Sequence, residues 1–161
     1  MKIFTLYLST QTTYGPYVPT NEVNKASVTW NINWNDLYGS ILNNDEERRC
    51  RVKFQLTSLS QNGVFTWADN SGIIVIQGMS NNNSNSQNGL ILGNIQPIDN
   101  PVAGHPNHIM IGDTLQTAGV MSTLPYGIQP ITIKILDRTG AHQPNMVDYQ
   151  IILQFEVDEN I

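Results

Sequence analysis

Apolar and polar residues alternate with a period of two near the end of the chain. Ile131–Leu136 is followed by the turn sequence Asp137–Gly140 and then by a long alternating segment, Val147–Val157. Alternation of this kind is typical of β-strands with one buried face. The pattern predicts a C-terminal hairpin, with His142 in its exposed loop and a closing strand deep in the fold.

The same alternation recurs earlier in the chain. One-faced apolar positions are Phe4, Leu6 and Leu8; Val28, Trp30, Ile32 and Trp34; and Cys50, Val52, Phe54 and Leu56. Shorter apolar runs predict further strands at Ile73–Ile76, Leu90–Ile95 and His108–Ile111, and only Asn35–Leu42 favours a helical turn. About eight antiparallel strands with almost no helix predict an all-β domain over 1–161, a single jelly-roll β-sandwich.

Long polar segments separate these strands. Thr10–Lys25 contains Gly15, Pro16 and Pro19 and is predicted to be irregular throughout. Ser80–Asn88 is a low-complexity run of Ser, Asn and Gln, which is typical of a loop tip.

Charge is sparse and its balance is negative. Charged residues make up 13% of the chain, against about 25% in an ordinary soluble domain. The net charge of -5 argues against a nucleic-acid partner held by phosphate neutralisation. Depletion of charge is also a feature of the cores of protein–protein interfaces.

The cysteine content and the hydropathy of the chain limit the classes of protein to which it can belong. Cys50 is the single cysteine, so a disulfide framework is excluded and the thiol is expected to be an inert core residue. We expect no signal peptide at the N-terminus and no membrane span, since no apolar stretch approaches about 20 residues.

No motif indicates catalysis or a cofactor. His105, His108 and Asp113 could be imagined around a metal, but Pro106 and the spacing argue against it. There is no Gly-x-Ser-x-Gly elbow and no phosphate-binding glycine loop, although a carboxylate pair could form in space. The expectation is a protein that is not an enzyme and has no catalytic, metal or cofactor residues.

The aromatic residues divide into two groups. Trp30 and Trp34 lie on the apolar face of a predicted strand and are expected in the core. Other aromatic and amide side chains lie in predicted loops, where they could contact a partner. These candidate interface or binding residues are Tyr14, Tyr17, Trp67, Asn82, Asn83 and Tyr126.

The segments Lys2–Leu8, Val28–Trp34, Cys50–Leu56, Ile131–Gly140 and Tyr149–Glu156 share a rhythm of strands and turns. In this rhythm the chain resembles the single jelly-roll minor capsid and penton proteins of large icosahedral double-stranded DNA viruses. The resemblance implies a structural role in the virion after synthesis in the host cytoplasm. It implies a homo-oligomer, with a pentamer favoured and a trimer possible, that contacts other capsid proteins.

A second interpretation uses the same sandwich differently. The trimeric head of a viral or phage fibre would bind a carbohydrate or a receptor through aromatic and amide loops at one end. The loop residues Tyr14, Tyr17, Trp67 and Tyr126 keep this alternative open.

Overall fold

A computed structural model describes residues 2–11, 17–38, 49–58, 72–78, 80–81, 90–95, 116–123, 127–143, 146 and 148–157. These residues form ten strands and one short helix. The strands are β1 (Lys2–Ser9), β2 (Pro19–Val23), β3 (Ser27–Asn33), β4 (Arg49–Ser58), β5 (Gly72–Gln77), β6 (Ser80–Asn81), β7 (Leu90–Ile95), β8 (Gln116–Thr123), β9 (Ile128–Leu136) and β10 (Tyr149–Val157), and the helix is α1 (Trp34–Tyr38).

The strands form two antiparallel sheets of five strands each. The first sheet has the order β1-β10-β4-β8-β6, and the second has the order β2-β3-β9-β5-β7. The predicted all-β class is confirmed. β10 has neighbours on both sides, as expected for a closing strand deep in the fold.

The alternating residues of both sheets meet in one apolar core. Along β10 every second side chain is buried, from Tyr149 to Val157. The Trp30 indole of β3 donates a hydrogen bond to the Ser9 carbonyl of β1 (3.0 Å) and so joins the two sheets directly. Trp34, at the start of α1, meets Phe155 of β10 edge-on (5.7 Å between ring centroids). The core positions of Trp30 and Trp34 are confirmed, and the two sheets therefore form two layers around a shared interior.

Pro130 lies inside β9 although β9 is flanked by β3 and β5. Trp34 N donates a hydrogen bond to Gly127 O, so the odd-numbered residues of β9 direct their backbone N–H and C=O groups towards β3. The even-numbered residues direct theirs towards β5, and Pro130 N therefore faces the β5 side. Among the described residues, β5 pairs with β9 as far as Gln77↔Thr132, and none of these ladder pairs needs a proton on the proline nitrogen.

The structure corrects the predicted C-terminal hairpin. β9 pairs with β3 and β5, whereas β10 pairs with β1 and β4, so the two strands belong to different sheets. The connection between Leu136 and Tyr149 is long enough to cross the roughly 10 Å between packed sheets.

Three other predictions also differ from the structure. Ser80 and Asn81, at the start of the predicted loop tip Ser80–Asn88, form strand β6. β2 lies inside the segment predicted to be irregular, with Pro19 at its first position, where a strand tolerates proline. Helix α1 (Trp34–Tyr38) begins one residue earlier than expected, so Trp34 opens α1 instead of ending a strand. Positions 39–42 of the predicted helical turn lie outside the described residues.

Candidate functional site

Of the six predicted loop residues, Tyr17 is the one that the structure describes. Tyr14, Trp67, Asn82, Asn83 and Tyr126 lie outside the described residues. Tyr17 is half-buried and packs against the hydrophobic core. Burial raises the pKa of its phenol, and the nearby carboxylate of Asp36 raises it further. Part of this ring therefore belongs to the core, which leaves less of it for a partner.

The candidate metal residues His105, His108 and Asp113 also lie outside the described residues, as does the strand predicted at His108–Ile111. Among the residues that the structure does describe, no group of three or more His, Cys, Asp or Glu side chains is placed to hold a metal ion. His142 differs from its prediction as an exposed loop residue. It is half-buried, because its backbone bridges to Leu136 beside β9.

Cys50 is fully buried on the inward face of β4. Its neighbours two and four residues along the strand, Val52 and Phe54, share that apolar face. The expectation of a core cysteine is confirmed. A thiol in apolar surroundings is unreactive because burial disfavours the thiolate.

A polar cluster connects the two sheets at one end of the molecule. Its centre is the carboxylate of Asp148, which directly precedes β10. Thr10, just after β1, donates its hydroxyl proton to Asp148 Oδ1 (2.8 Å), and the Gln11 amide donates to Oδ2 (3.2 Å). Lys25 Nζ completes the cluster at 2.9 Å from Oδ1. We call these four residues the Asp148 cluster.

The backbone around the Asp148 cluster explains how it forms. Lys25 lies in the turn between β2 and β3, where Asn24 and Lys25 have positive φ values of 40° and 60°. This left-handed turn brings the lysine from the second sheet towards the first. Thr10 N also donates to Tyr149 O, and Tyr149 N donates to the Thr10 hydroxyl, so the end of β1 is fastened to the start of β10.

The electrostatics of the Asp148 cluster favour the ionised form of the carboxylate. Partial burial by itself raises the pKa of Asp148, but the hydrogen bonds from Lys25, Thr10 and Gln11 outweigh it, and the pKa lies below its usual value. With donors on both oxygens, the carboxylate is held in place. The arrangement joins three chain segments and is suited to stabilising the fold.

The outward surfaces of the two sheets carry the remaining candidates for contact with a partner. On the first sheet, Lys53 and Glu156 form an ion pair between neighbouring strands. Four large apolar side chains are exposed in the described part of the chain: Ile3, Tyr7, Val18 and Ile128. Ile3 and Tyr7 lie on β1 at the border of the first sheet, and Val18 directly precedes β2 at the border of the second.

Sequence reasoning missed both the Asp148 cluster and the exposed face of β1. The cluster joins residues more than a hundred positions apart, and no sequence motif predicts such a contact. The exposed face could have been identified from the alternation, since Ile3, Thr5 and Tyr7 alternate with the apolar-face residues Phe4, Leu6 and Leu8 and so lie on the other face of the strand.

No helix among the described residues has the length and apolar character needed to cross a membrane. Comparison with known proteins finds no match to a family model, to a curated protein or to a solved structure.

Proposed function

We propose that the chain is a single jelly roll and that it serves as a structural subunit of an icosahedral viral capsid, as a penton or minor capsid protein. The observation that carries the proposal is the nested pairing of the strands. Apart from β2, which is a hairpin partner of β3, and the two-residue β6, the strands pair from the outside of the sequence inwards.

The nesting can be followed pair by pair. The first strand pairs with the last, β1 with β10; then β3 pairs with β9, β4 with β8 and β5 with β7. A long hairpin of four strand pairs has this pattern. Rolling it up adds two further contacts, β10 with β4 and β9 with β5, and both are present. Eight strands arranged in this way are what the jelly-roll architecture consists of.

A jelly roll by itself hosts several functions, including lectins, cupins and capsid proteins. The inward faces of the strands favour the structural role. A site between the sheets would need convergent polar side chains. In β1, β3, β4, β9 and β10 the fully inward positions are apolar or aromatic. This filling supports a subunit that acts through its outer surface.

The low charge of the chain and its exposed apolar side chains suit repeated burial between subunits. Only 13% of the residues are charged, and exposed apolar side chains lie at the borders of both sheets. Interfaces are depleted of charge at their centres. The net charge of -5 disfavours direct packaging of nucleic acid, which supports contacts with other capsid proteins and with copies of the chain.

The test is the native mass of the purified protein, measured by native mass spectrometry and light scattering over a range of protein and salt concentrations. The expected result is a closed homo-oligomer, with five copies for a penton. A trimer that binds a glycan would instead support the fibre-head alternative. A monodisperse monomer at high concentration, which also fails to join partner capsid proteins, would overturn the shell role.

A further inference from the structure

The four borders of the two sheets differ in how well they are protected against pairing with another strand. β2 has Pro19 and a register shift between Asn21 and Val23. β6 is two residues long, and the pairing of β5 with β7 is broken by a shift at Ile74/Val75. β1 has none of these features. It runs for eight residues in unbroken register with β10.

The hydrogen-bonding groups on the free side of β1 can be identified. Thr10 N donates to Tyr149 O at 3.0 Å, so the backbone N–H and C=O groups of the even-numbered residues of β1 are the ones that hydrogen-bond with β10. The N–H and C=O groups of Ile3, Thr5 and Tyr7 therefore point away from the sheet. Within the described residues, no backbone hydrogen bond other than those of the ladders reaches these three residues.

The side chains of the same three residues project from the outward face of the sheet. Ile3 and Tyr7 are each 49% exposed, and Thr5 is exposed between them. We call Ile3, Thr5 and Tyr7 the β1 edge. A long, regular, uncharged edge is what monomeric proteins avoid, because it templates pairing with another chain. Its presence beside three protected borders indicates that this one is covered by a partner.

We propose that the β1 edge pairs with the β1 edge of a second copy of this chain, antiparallel and about a two-fold axis at Thr5. Such pairing joins the two first sheets into one continuous sheet across the axis. A contact of this type is self-complementary, because the same patch is used by both copies. It goes beyond the proposed shell role and does not depend on it.

The sequence of β1 fits this register. With Thr5 opposite Thr5 of the second copy, Ile3 faces Tyr7 on either side of the axis, and each such pairing combines an aromatic with a β-branched side chain. The three outward-facing residues of each copy supply six backbone hydrogen bonds. Lys2 is the single charge of β1, and it falls opposite Leu8, so that like charges do not meet.

Other registers fit less well. Moving the axis to Tyr7 places Ile3 opposite Gln11, beyond the end of the strand. The same register would pair Ser9, whose carbonyl already accepts the hydrogen bond from Trp30. The axis at Thr5 is therefore the one that pairs all three residues of the β1 edge with one another.

The size of the contact sets its strength. Eight residues at about 3.3 Å each give an edge roughly 26 Å long. A sheet edge about 10 Å thick then presents roughly 260 Å², well below the ~800 Å² per partner of a standard stable interface. Pairing is therefore expected to depend on protein concentration in solution.

The first test uses a disulfide as a reporter of the register. Thr5→Cys places two thiols across the two-fold axis with Cα atoms about 5.5 Å apart, a distance that a disulfide spans. The native Cys50 is fully buried and does not compete. Thr20→Cys, at an exposed position of the protected β2 border, is the matched control.

Mild oxidation of Thr5→Cys is expected to give a covalent dimer on a non-reducing gel, at concentrations at which Thr20→Cys stays monomeric. Equal yields from the two variants, or no dimer from Thr5→Cys, would overturn the proposal. Circular dichroism of both reduced variants checks that the fold is retained.

The second test introduces charged side chains at Thr5, on the proposed two-fold axis. Thr5→Lys and Thr5→Glu each place like charges opposite each other, and each is expected to weaken association by about tenfold. Mixing the two restores pairing as a heterodimer, which sedimentation velocity of the mixture detects. Thr20→Lys should associate like the natural protein. Unchanged association of both Thr5 variants, or no recovery on mixing, would contradict the β1 edge as the contact.

Discussion

Replacing Asp148 by asparagine probes the Asp148 cluster with almost no change in side-chain shape. The asparagine amide keeps an oxygen that can accept the Thr10 hydroxyl, which lies 2.8 Å from the carboxylate in the natural protein. It loses the negative charge that attracts Lys25, and it turns the acceptor of the Gln11 amide into a donor. The substitution therefore removes one hydrogen bond and one ion pair while leaving the packing intact.

The magnitude follows from these contacts. A hydrogen bond to a charged group contributes about 1.5–3 kcal/mol, and a neutral bond about 0.5–1.5 kcal/mol. The side chains of Lys25 and Asp148 are 33% and 25% exposed, so solvent screens their ion pair and its contribution is kept to about 0.5 kcal/mol. Asp148→Asn is expected to lower the free energy of unfolding by about 1–2 kcal/mol, or roughly 5 °C in Tm for a chain of this size.

The effect depends on pH in a defined direction. The pKa of Asp148 is lower in the folded protein than its ordinary value. A depressed carboxyl pKa contributes stability that is complete above the unfolded-state pKa of about 4 and is lost as the pH falls through the folded-state value. The natural protein should therefore exceed Asp148→Asn in stability at pH 7, and the difference should shrink from pH 4 downwards.

Urea unfolding followed by tryptophan fluorescence at pH 7, 5, 4 and 3 measures this difference. A double-mutant cycle with Lys25→Met isolates the ion pair, with an expected coupling of about 0.5 kcal/mol. Lys2→Met is the matched control, since Lys2 lies at the far end of β1, roughly 25 Å away. A stability difference that is unchanged between pH 7 and pH 3, or equal coupling for both lysines, would refute the reasoning.

Three further substitutions test the core and the backbone. Leu153→Ala, at a fully buried position of β10, should cost about 3 kcal/mol in urea unfolding. Trp30→Phe leaves the carbonyl at the end of β1 without its indole donor and should cost about 2 kcal/mol. Gly78→Ala puts a Cβ against the Pro130 carbonyl oxygen at a φ of 98° and should cost several times the about 1 kcal/mol expected for Gly127→Ala, whose added Cβ meets nothing within 4 Å. Similar melting temperatures for the two glycine variants would contradict the close approach at Pro130.

The strands that could be predicted from sequence are those with one buried face and clear alternation. β1, β3, β4, β9 and β10 were all expected where the structure has them, apart from small differences at their ends. β5 and β7 were expected from short apolar runs. β8 was not, because Gln116–Thr123 combines small, polar and apolar residues without alternation. Its strand forms through pairing with β4, which is a tertiary effect.

The partners of the strands could not be predicted as well as the strands themselves. Ile131–Leu136 and Val147–Val157 are neighbours in sequence and have matching alternation, so a hairpin was the natural prediction. In the structure each strand instead completes a different sheet. The choice is made by long-range pairing of β1 with β10 and of β3 with β9, for which a single sequence carries no signal.

The candidate contact surfaces were likewise only partly predictable from the sequence. The sequence indicated loops as the place of contact, yet Tyr17, the described member of that set, is partly core. The exposed side of β1 became a candidate only when its place at the border of the first sheet was known. The Asp148 cluster likewise depends on the turn that carries Lys25.

Both proposals depend on the nested pairing of the strands, and one measurement tests it most directly. In an antiparallel sheet the Hα atoms of non-hydrogen-bonded pairs lie close together. Nuclear Overhauser spectra of the isotope-labelled protein should therefore show Hα–Hα contacts between Thr5 and Gln154 and between Thr29 and Thr132. If these contacts are absent, and residues of β9 instead show contacts with β10, the chain is a C-terminal hairpin fold, and the jelly roll and its β1 edge are both contradicted.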